Sequence, residues 1–222
     1  MELWETHCHT SEVSACARSR AADMVEAYVQ AGYDGMVITN HCEPRFTFQR
    51  CPDEDWDKRA EWYLEGYRAA ARAAQGRCKV LWGIELRFTE NVNDYLVYGL
   101  NEAILHELAN AHFMEWGIEK FSRYAREHHL LLMMAHPFRH GITVIDPSLV
   151  DGVEVFNCSP TIDSHNFLAE SWADRFGLLK SSGSDSHIVD YVAKGGILTE
   201  QPIVTIEDFC EAIRSRKIRL LS

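Results

Sequence analysis

Two histidines near the amino terminus, His7 and His9, are spaced for metal binding. They lie at the end of a short stretch that is typical of a β-strand. Side chains alternate between the two faces of a strand, so both imidazoles project together while Cys8 points the other way. Pairs of imidazoles at this spacing bind divalent transition metals. By itself an H-x-H pair is weak evidence, because a merely polar strand end gives the same letters.

Further side chains of metal-binding types follow later apolar segments. The predicted strands cover residues 2–7, 34–41, 79–85, 95–99, 130–135, 152–157 and 178–182. His41 and Glu85 end the second and third of these strands. His136 follows the fifth strand, and Asp185 and His187 follow the seventh. Chance would place one or two such residues at strand ends, so the whole set favours a single metal site.

Helical patterns separate these strands, and the alternation predicts an α/β fold with a parallel sheet. About seven such units favour a barrel, in which the chemistry lies at the carboxyl ends of the strands. An open doubly wound sheet is the alternative, but the chain has neither standard Gly-rich phosphate loop. The barrel predicts that the residues following each strand meet at one mouth.

Length and composition limit the class of protein. With 222 residues, 46% hydrophobic and 25% charged, the chain is expected to form one globular domain over residues 1–222. It has no run of about 18 apolar residues and no amino-terminal signal pattern. Its seven cysteines, without a C-x-x-C pair, are typical of reduced thiols. We therefore expect a cytoplasmic protein with no membrane partner. The net charge of −11 makes a nucleic-acid partner unlikely.

Six stretches of the chain resemble the PHP (polymerase and histidinol phosphatase) family. They are His7-Cys-His9-Thr, Ile38-Thr-Asn-His41, Gly83-Ile-Glu85, Ala135-His136-Pro137, Glu154-Val-Phe-Asn157 and Gly183-Ser-Asp185-Ser-His187. They occur in the order of the family and span nearly the whole chain. The resemblance implies an α/β fold, a distorted TIM-like (βα)7 barrel of the PHP type. It also implies two or three metal ions in a cleft and, usually, phosphoester hydrolysis.

The resemblance further implies how the ligands divide among the ions. One ion would be held by His7, His9, Glu85 and Asp185, a second by Glu85 as a bridge and by His136, and a third by His41 and His187. Asp185 and His187 are also expected to take part in catalysis.

The chain departs from the family pattern at two points, and each supplies a further candidate ligand. The family often has a histidine shortly after the fourth strand, where this chain has Asn101. The family also has an aspartate or histidine in the loop after the first histidine pair. There this chain reads Ser11 to Ala15, and Glu12 is the residue able to substitute as a ligand.

Water is the expected nucleophile, because no serine or cysteine has the surroundings of an activated one. Coordination lowers the pKa of water from ~15.7 to about 7, which supplies hydroxide at neutral pH. The substrate phosphate needs cations at the same mouth. Arg139, three residues after His136, is the first candidate, because a guanidinium meets phosphate with two donors. Arg45, Arg87 and Lys194 on neighbouring strand-end loops rank behind it.

Four residues beside the predicted ligands have a supporting interpretation. Glu154 and Asn157 are expected to hold ligand side chains in place. Cys42 and Cys158 are interpreted as small buried residues, although thiolates are good metal ligands.

The sequence predicts a metal-dependent phosphoesterase, an enzyme that hydrolyses a small phosphorylated metabolite. The substrate would be a phosphomonoester or a small phosphodiester, and the metal zinc, iron or manganese. A barrel amidohydrolase, which also begins with H-x-H, is one alternative. That class typically has a lysine at a mid-barrel strand end, where this chain has Glu85. A catalytically weak regulatory module that keeps its metals for structure is the other.

Overall fold

The computed structural model describes residues 1–44, 50–51 and 53–222. Arg45, one of the predicted phosphate ligands, lies outside the described residues. The strands are β1 (Glu2–Cys8), β2 (Gly35–Ile38), β3 (His41–Cys42), β4 (Lys79–Trp82), β5 (Ile84–Arg87), β6 (Asp94–Tyr98), β7 (Leu131–Met134), β8 (Gly152–Asn157), β9 (Leu179–Gly183), β10 (Gly196–Thr199) and β11 (Ile218–Leu221). The helices are α1 (Ala21–Gln30), α2 (Trp56–Tyr63), α3 (Glu65–Ala74), α4 (Glu102–Asn110), α5 (Ile118–Glu127), α6 (Asn166–Phe176) and α7 (Ile206–Arg214).

The strands form two sheets that bend into each other. One sheet has the order β11-β10-β1-β2-β4 and the other β3-β5-β6-β7-β8-β9. Two residues separate β2 from β3, and Gly83 alone separates β4 from β5, so these are two bent strands that pass between the sheets. At the other side a single parallel bridge joins Cys8 of β1 to Ser186 after β9. The result is the predicted distorted, TIM-like α/β arrangement, without a continuous closed ladder and with β10 and β11 added to the seven predicted strands.

Strand β6 runs against its neighbours, which differs from the uniformly parallel sheet expected from the sequence. It pairs antiparallel with β5 and with β7. Only residues 88–93 connect β5 to β6. A parallel crossover needs about a dozen residues or more, so this short connection can only form a hairpin. The amino end of β6 therefore lies at the mouth where the other strands have their carboxyl ends.

Apolar side chains fill the barrel beneath this mouth. Val37 of β2, Leu96 and Tyr98 of β6 and Met133 of β7 face inward, and their sequence neighbours pack outward beneath the helices. Phe209 of α7 closes the far end of the barrel. Fully burying an apolar side chain of this size contributes ~1.5–3 kcal/mol to the free energy of unfolding. The polar residues at the mouth therefore lie on a tightly packed apolar core. No helix among the described residues is long and apolar enough to cross a membrane.

Candidate metal centre

The seven predicted metal ligands converge at the mouth above the apolar interior. Nε2 of His7 lies 3.2 Å from Glu85 Oε1, and Nε2 of His9 lies 3.4 Å from Asp185 Oδ1. Nε2 of His136 lies 3.2 Å from the same Glu85 oxygen. These residues come from β1, β5 and the segments after β7 and β9, so side chains far apart in the chain meet at one place.

Three groups of side chains offer ligand atoms that all lie within 4.8 Å of one another. The groups are His7, His9 and Asp185; His41, Glu85 and Asp94; and His9, His41 and His187. Glu85 lies between the groups: its Oε2 is 2.7 Å from His41 Nδ1 and 3.4 Å from His9 Nε2. Its other oxygen faces His7 and His136. A carboxylate beside four imidazoles has the arrangement of a ligand that bridges neighbouring cations.

Several buried polar atoms at the centre are arranged as the ligands of a metal ion would be. Nε2 of His7 and Nε2 of His9 face carboxylate oxygens but make no well-aligned hydrogen bond among the described residues, although both side chains are fully buried. A buried polar group without a partner costs ~1–3 kcal/mol, so such groups are rare in folded proteins. Imidazole nitrogens and carboxylate oxygens are ligands of zinc and related divalent ions. The residues present therefore fit a metal centre.

Neighbouring imidazoles keep the two central carboxylates charged. Burial would raise the pKa of Glu85, but His41 and His7 outweigh it and hold that pKa well below its usual range. Burial likewise acts to raise the pKa of Asp185, and His7 with His9 lowers it well below the ordinary value. Both side chains are therefore in the anionic form that binds metal.

The imidazoles divide into neutral and charged forms. Burial, with the charge of His187 and His41, lowers the pKa of His9 well below its usual value. Burial acts in the same direction on His7, but Glu154 and the two central carboxylates outweigh it and raise the pKa of His7 well above the ordinary value. His9 is thus ready to bind, whereas His7 must release a proton before its Nε2 can do so.

Acceptors behind the rings direct Nε2 of three histidines toward the centre. Nδ1 of His7 lies 2.9 Å from Glu154 Oε1, and Nδ1 of His9 lies 3.3 Å from Ser14 Oγ. Nδ1 of His187 lies 3.1 Å from the carbonyl oxygen of Asp185. An acceptor at Nδ1 favours the tautomer whose free lone pair is on Nε2. Glu154 therefore has the supporting position expected from the sequence.

The backbone at two ligand positions has a conformation that side chains rarely adopt. His136 has φ of 30° and Asp185 has φ of 47°. Non-glycine residues with positive φ are uncommon, and such strain concentrates at functional sites. Nearby, a Cβ added at Gly183 would lie 2.6 Å from His7 Cβ. Glycine at this position allows β9 to approach β1 closely enough for Asp185 to reach the histidines.

Asp94 is a candidate ligand that the sequence analysis missed. It begins β6, and its Oδ2 lies 3.7 Å from His136 Nε2. The signal was the short connection of residues 88–93, which makes β6 antiparallel and turns its first residue toward the mouth. Arg87 binds Asp94 through Nε and Nη2 at 2.7 and 2.6 Å and also contacts Glu43. The structure therefore places Arg87 as the partner of Asp94, and its binding of phosphate stays a prediction.

Three other predicted residues lie away from the cluster. Asn101 is exposed and caps α4, where its Oδ1 accepts a hydrogen bond from Ile104 N. Because β6 is reversed, Asn101 follows its far end. Both carboxylate oxygens of Glu12 lie 3.1 Å from Ala21 N, at the start of α1. Lys194 is exposed on the connection between β9 and β10. Neither Glu12 nor Asn101 belongs to the groups of ligand atoms.

Arg139 lies at the centre, as the sequence analysis expected. Its Nη2 donates to Asp185 Oδ2 at 2.8 Å and to Asn157 Oδ1 at 3.0 Å. Its buried Nε has no partner among the described residues. A guanidinium fixed by one nitrogen presents its remaining donors for two oxygens of an anion such as phosphate.

Cys16 is a second residue that the sequence analysis missed. Burial of its sulfur would raise the pKa of the thiol, but hydrogen bonds with His187 and His41 outweigh it and lower that pKa to about 6. The residue lies in the loop after β1, and as a whole it is exposed. Counting thiols, as well as Glu12, among the possible ligands of this loop would have found it.

Comparisons with known proteins point to one family. Residues 163–218 match PHP_C, the PHP-associated family. This segment carries Asp185 and His187 with α6, β9, β10 and α7 around them. No curated protein matches the chain in sequence.

Solved structures share the fold over almost the whole chain. PsfC from Pseudomonas syringae superposes with a TM-score of 0.69 at 17% identity, covering 99% of this chain and 91% of that one. A two-domain protein from Bacteroides vulgatus, containing a predicted PHP-like metal-dependent phosphoesterase, gives 0.65 at 13% identity, with 99% and 64% covered. The lesion-specific endonuclease PfuEndoQ from Pyrococcus furiosus gives 0.67 at 13% identity, with 99% and 57% covered. This chain thus spans less than two thirds of the last two proteins.

The same fold also occurs with another chemistry. An amidohydrolase from Chromobacterium violaceum gives a TM-score of 0.56 at 14% identity, covering 97% of each chain. At such identities these likenesses establish the fold. The chain is thus similar to the PHP-associated family over residues 163–218 and, in its fold, to a structure described as a PHP-like metal-dependent phosphoesterase.

Proposed function

We propose that this chain is a metal-dependent phosphoesterase that hydrolyses a small phosphorylated substrate at a site for two or three divalent ions. The observation that carries the proposal is the buried carboxylate of Glu85, which lies within 3.4 Å of a nitrogen of each of four imidazoles. Arg139 beside Asp185 adds a cation suited to phosphate at the same place. Neither feature has a use in a protein that does not bind metal and anion together.

The groups of ligand atoms overlap, because His9 and His41 each belong to two of them, so we assign the ligands to positions as the family resemblance implies and add Asp94 beside His136. The first position has His7, His9, Asp185 and Glu85, the second has Glu85, His136 and Asp94, and the third has His41 and His187. Imidazole and carboxylate ligands accept zinc, iron and manganese alike, so the ligand set agrees with each of the three metals.

The chain's own residues orient the substrate. When bound, divalent ions of this kind neutralise charge on a phosphoryl group and acidify an attacking water. Asp185 turns Oδ1 toward the imidazoles and holds Arg139 with Oδ2, which fixes the guanidinium beside the phosphoryl position. His187 contributes through the ion that it helps hold and not as a proton donor, because its Nε2 faces His41 Nε2 at 3.4 Å.

A cavity beside the centre supports a small substrate. It has a volume of about 370 Å³ and is lined by Glu43, Pro44, Arg87, Phe88, Thr89, Asn91 and Val92. Glu43 and Arg87 come two residues after His41 and Glu85 on paired strands, so the cavity continues outward from the metal ligands. Pockets of ~300–1,000 Å³ hold metabolite-sized ligands. We propose that the cavity receives the organic part of the substrate, to which the phosphate is attached.

The rival functions differ in substrate. The endonuclease among the structural neighbours shows that the fold does not exclude a nucleic-acid substrate. The net charge of −11 disfavours such a substrate, because nucleic acid is itself an anion. The amidohydrolase neighbour keeps amide hydrolysis as a second candidate. Phosphoester hydrolysis is favoured because Arg139 provides two-donor recognition of an anion at the centre.

The test combines metal analysis with a substrate panel. Protein purified without added metal should contain two or three transition-metal ions per chain, as multinuclear hydrolytic sites do. The panel consists of phosphomonoesters, phosphodiesters, a short oligonucleotide and cyclic amides, and turnover of small phosphoesters is expected. Protein without metal would refute the proposed metal centre. Turnover of amides or oligonucleotides alone would show that the proposed substrate class is wrong.

Substitutions link activity to the centre. His136→Ala and Asp185→Ala should lower kcat by at least ~100-fold, because losing a ligand costs more than losing a supporting partner. His140→Ala is the matched control, since this histidine is exposed four residues after His136. Arg139→Lys should raise KM more than it lowers kcat if the guanidinium binds phosphate. Full activity in both alanine variants would show that the active site lies elsewhere.

A further inference from the structure

The loop between β1 and α1 is hydrogen-bonded to two of the histidines, and Cys16 lies between the two points of contact. Oγ of Ser14 accepts a hydrogen bond from His41 N at 3.0 Å. Two residues beyond Cys16, the backbone N of Arg18 donates to the carbonyl oxygen of His187 at 2.8 Å. A bond from Ala17 N to Ser14 O closes the turn between them. The loop therefore places Cys16 beside the His41 and His187 rings, with its thiol close enough to interact with both imidazoles.

The imidazole rings of His41 and His187 point the same atom, Nε2, toward each other. Nε2 of His41 and Nε2 of His187 lie 3.4 Å apart. Each Nδ1 already has a close oxygen, from the Glu85 side chain at 2.7 Å and from the Asp185 carbonyl at 3.1 Å. Two unprotonated nitrogens facing each other repel, so either a cation or one shared proton must lie between them. Two nitrogens at ~2.05 Å from a tetrahedral zinc ion are about 3.3 Å apart, close to the separation observed.

A third imidazole also points to an ion at this place. His9 stacks on His41 and His187, with ring centroids 4.5 and 4.1 Å apart, and their ligand atoms lie within 4.8 Å of one another. Its Nε2 is fully buried and has no partner among the described residues. The thiol of Cys16 thus lies beside a cluster of buried ligand atoms that fits a cation.

We propose that Cys16, His41 and His187 together bind one divalent ion, so that the third position of the centre has a thiolate ligand. The inference rests on the proposed function only in requiring that the centre binds metal. Thiolate favours zinc, iron(II) or cobalt(II) over magnesium and manganese, so this position selects a softer ion than imidazoles and carboxylates alone would select. Three protein ligands leave a fourth place open for a substrate oxygen, as in catalytic zinc sites.

Cobalt(II) reports thiolate coordination directly. Metal-free protein, the Cys16→Ser variant and a Cys158→Ser control are each loaded with cobalt(II), and near-ultraviolet absorption and bound cobalt per chain are measured. Cys158 is a suitable control because it is partly buried and burial raises the pKa of its thiol to about 11. Wild type and control should show a thiolate-to-cobalt charge-transfer band. Cys16→Ser should lose the band and bind the last ion at least ~10-fold more weakly.

The outcomes separate this inference from the proposed function. If wild type binds cobalt and hydrolyses phosphoesters but lacks the band, or if Cys16→Ser keeps it, Cys16 is not a ligand and the function stands. If wild type binds no cobalt, both fail. Alkylation followed by mass spectrometry gives an independent measurement. Cys16 should react in the metal-free protein and be protected in the loaded one, and equal reactivity would overturn the proposal. The competing arrangement, one N–H···N hydrogen bond between opposite tautomers of His41 and His187, predicts neither the band nor the protection.

Discussion

Replacing Glu154 by glutamine should weaken metal binding, although Glu154 is not a proposed ligand. Its carboxylate is fully buried. Oε1 lies 2.9 Å from His7 Nδ1, while Oε2 accepts hydrogen bonds from His136 N at 3.2 Å and from Asn157 Nδ2 at 2.9 Å. Glutamine has nearly the same shape but only one acceptor oxygen. The substitution therefore leaves the packing intact and removes one acceptor.

Both orientations of the new amide leave a conflict. With its oxygen toward His7, the NH2 group faces two donors, the backbone N–H of His136 and the amide of Asn157. With its NH2 group toward His7, the imidazole must carry its proton on Nε2, the atom that faces Glu85. A buried hydrogen-bonding group left without a partner costs ~1–3 kcal/mol. Metal affinity at the first position should accordingly fall by ~10–100-fold, the range found for such supporting residues.

Competition between the protein and a calibrated chelator for zinc measures this loss. Glu119→Gln is the matched control, because Glu119 is exposed on α5 and distant in sequence from the proposed ligands. Equal affinities for the wild type, Glu154→Gln and the control would refute the claim that Glu154 sets the tautomer of His7. An equal loss in the control would mean that charge alone, without hydrogen bonding, controls the affinity.

Three further predictions concern protons, packing and stability. Metal affinity should rise with pH through the neutral range, because an ion must displace the proton on His7, whose raised pKa keeps that proton bound at pH 7. Calorimetry in buffers of different ionisation enthalpy should detect the released proton, and no release would contradict the charge assignment. Gly183→Ala should destabilise the fold by ~1–3 kcal/mol, since its Cβ would lie 2.6 Å from His7 Cβ, and an unchanged denaturation midpoint would contradict this packing. Removing bound ions with a chelator should lower Tm, since a ligand present at 100 times its Kd stabilises the folded state by ~2.7 kcal/mol; a constant Tm would show that the ions do not bind the folded state preferentially.

The placement of most site residues could be predicted because apolar strands end abruptly at polar ligand types. His41, Glu85 and His136 each follow a buried strand, and parallel strands bring their ends together. The roles of these residues as ligands stay predictions, as does the single domain. The family resemblance strengthened this part, since its motifs occur in order along the chain.

Strand direction explains two of the differences. A strand's apolar pattern reads the same in both directions, so the sequence analysis placed the wrong end of β6 at the mouth. It therefore named Asn101, which caps a helix, and missed Asp94. Cys16 was missed because its neighbours, His41 and His187, reach it only through tertiary contacts that no spacing records.

The hairpin of residues 88–93 has a consequence for how selectivity could change. Phe88, Thr89, Asn91 and Val92 from this turn line the cavity, while none of them belongs to the groups of ligand atoms. Surface turns accept insertions and exchanges that strands do not tolerate. A library randomised or lengthened at this turn would therefore explore new substrates while the proposed metal ligands stay unchanged.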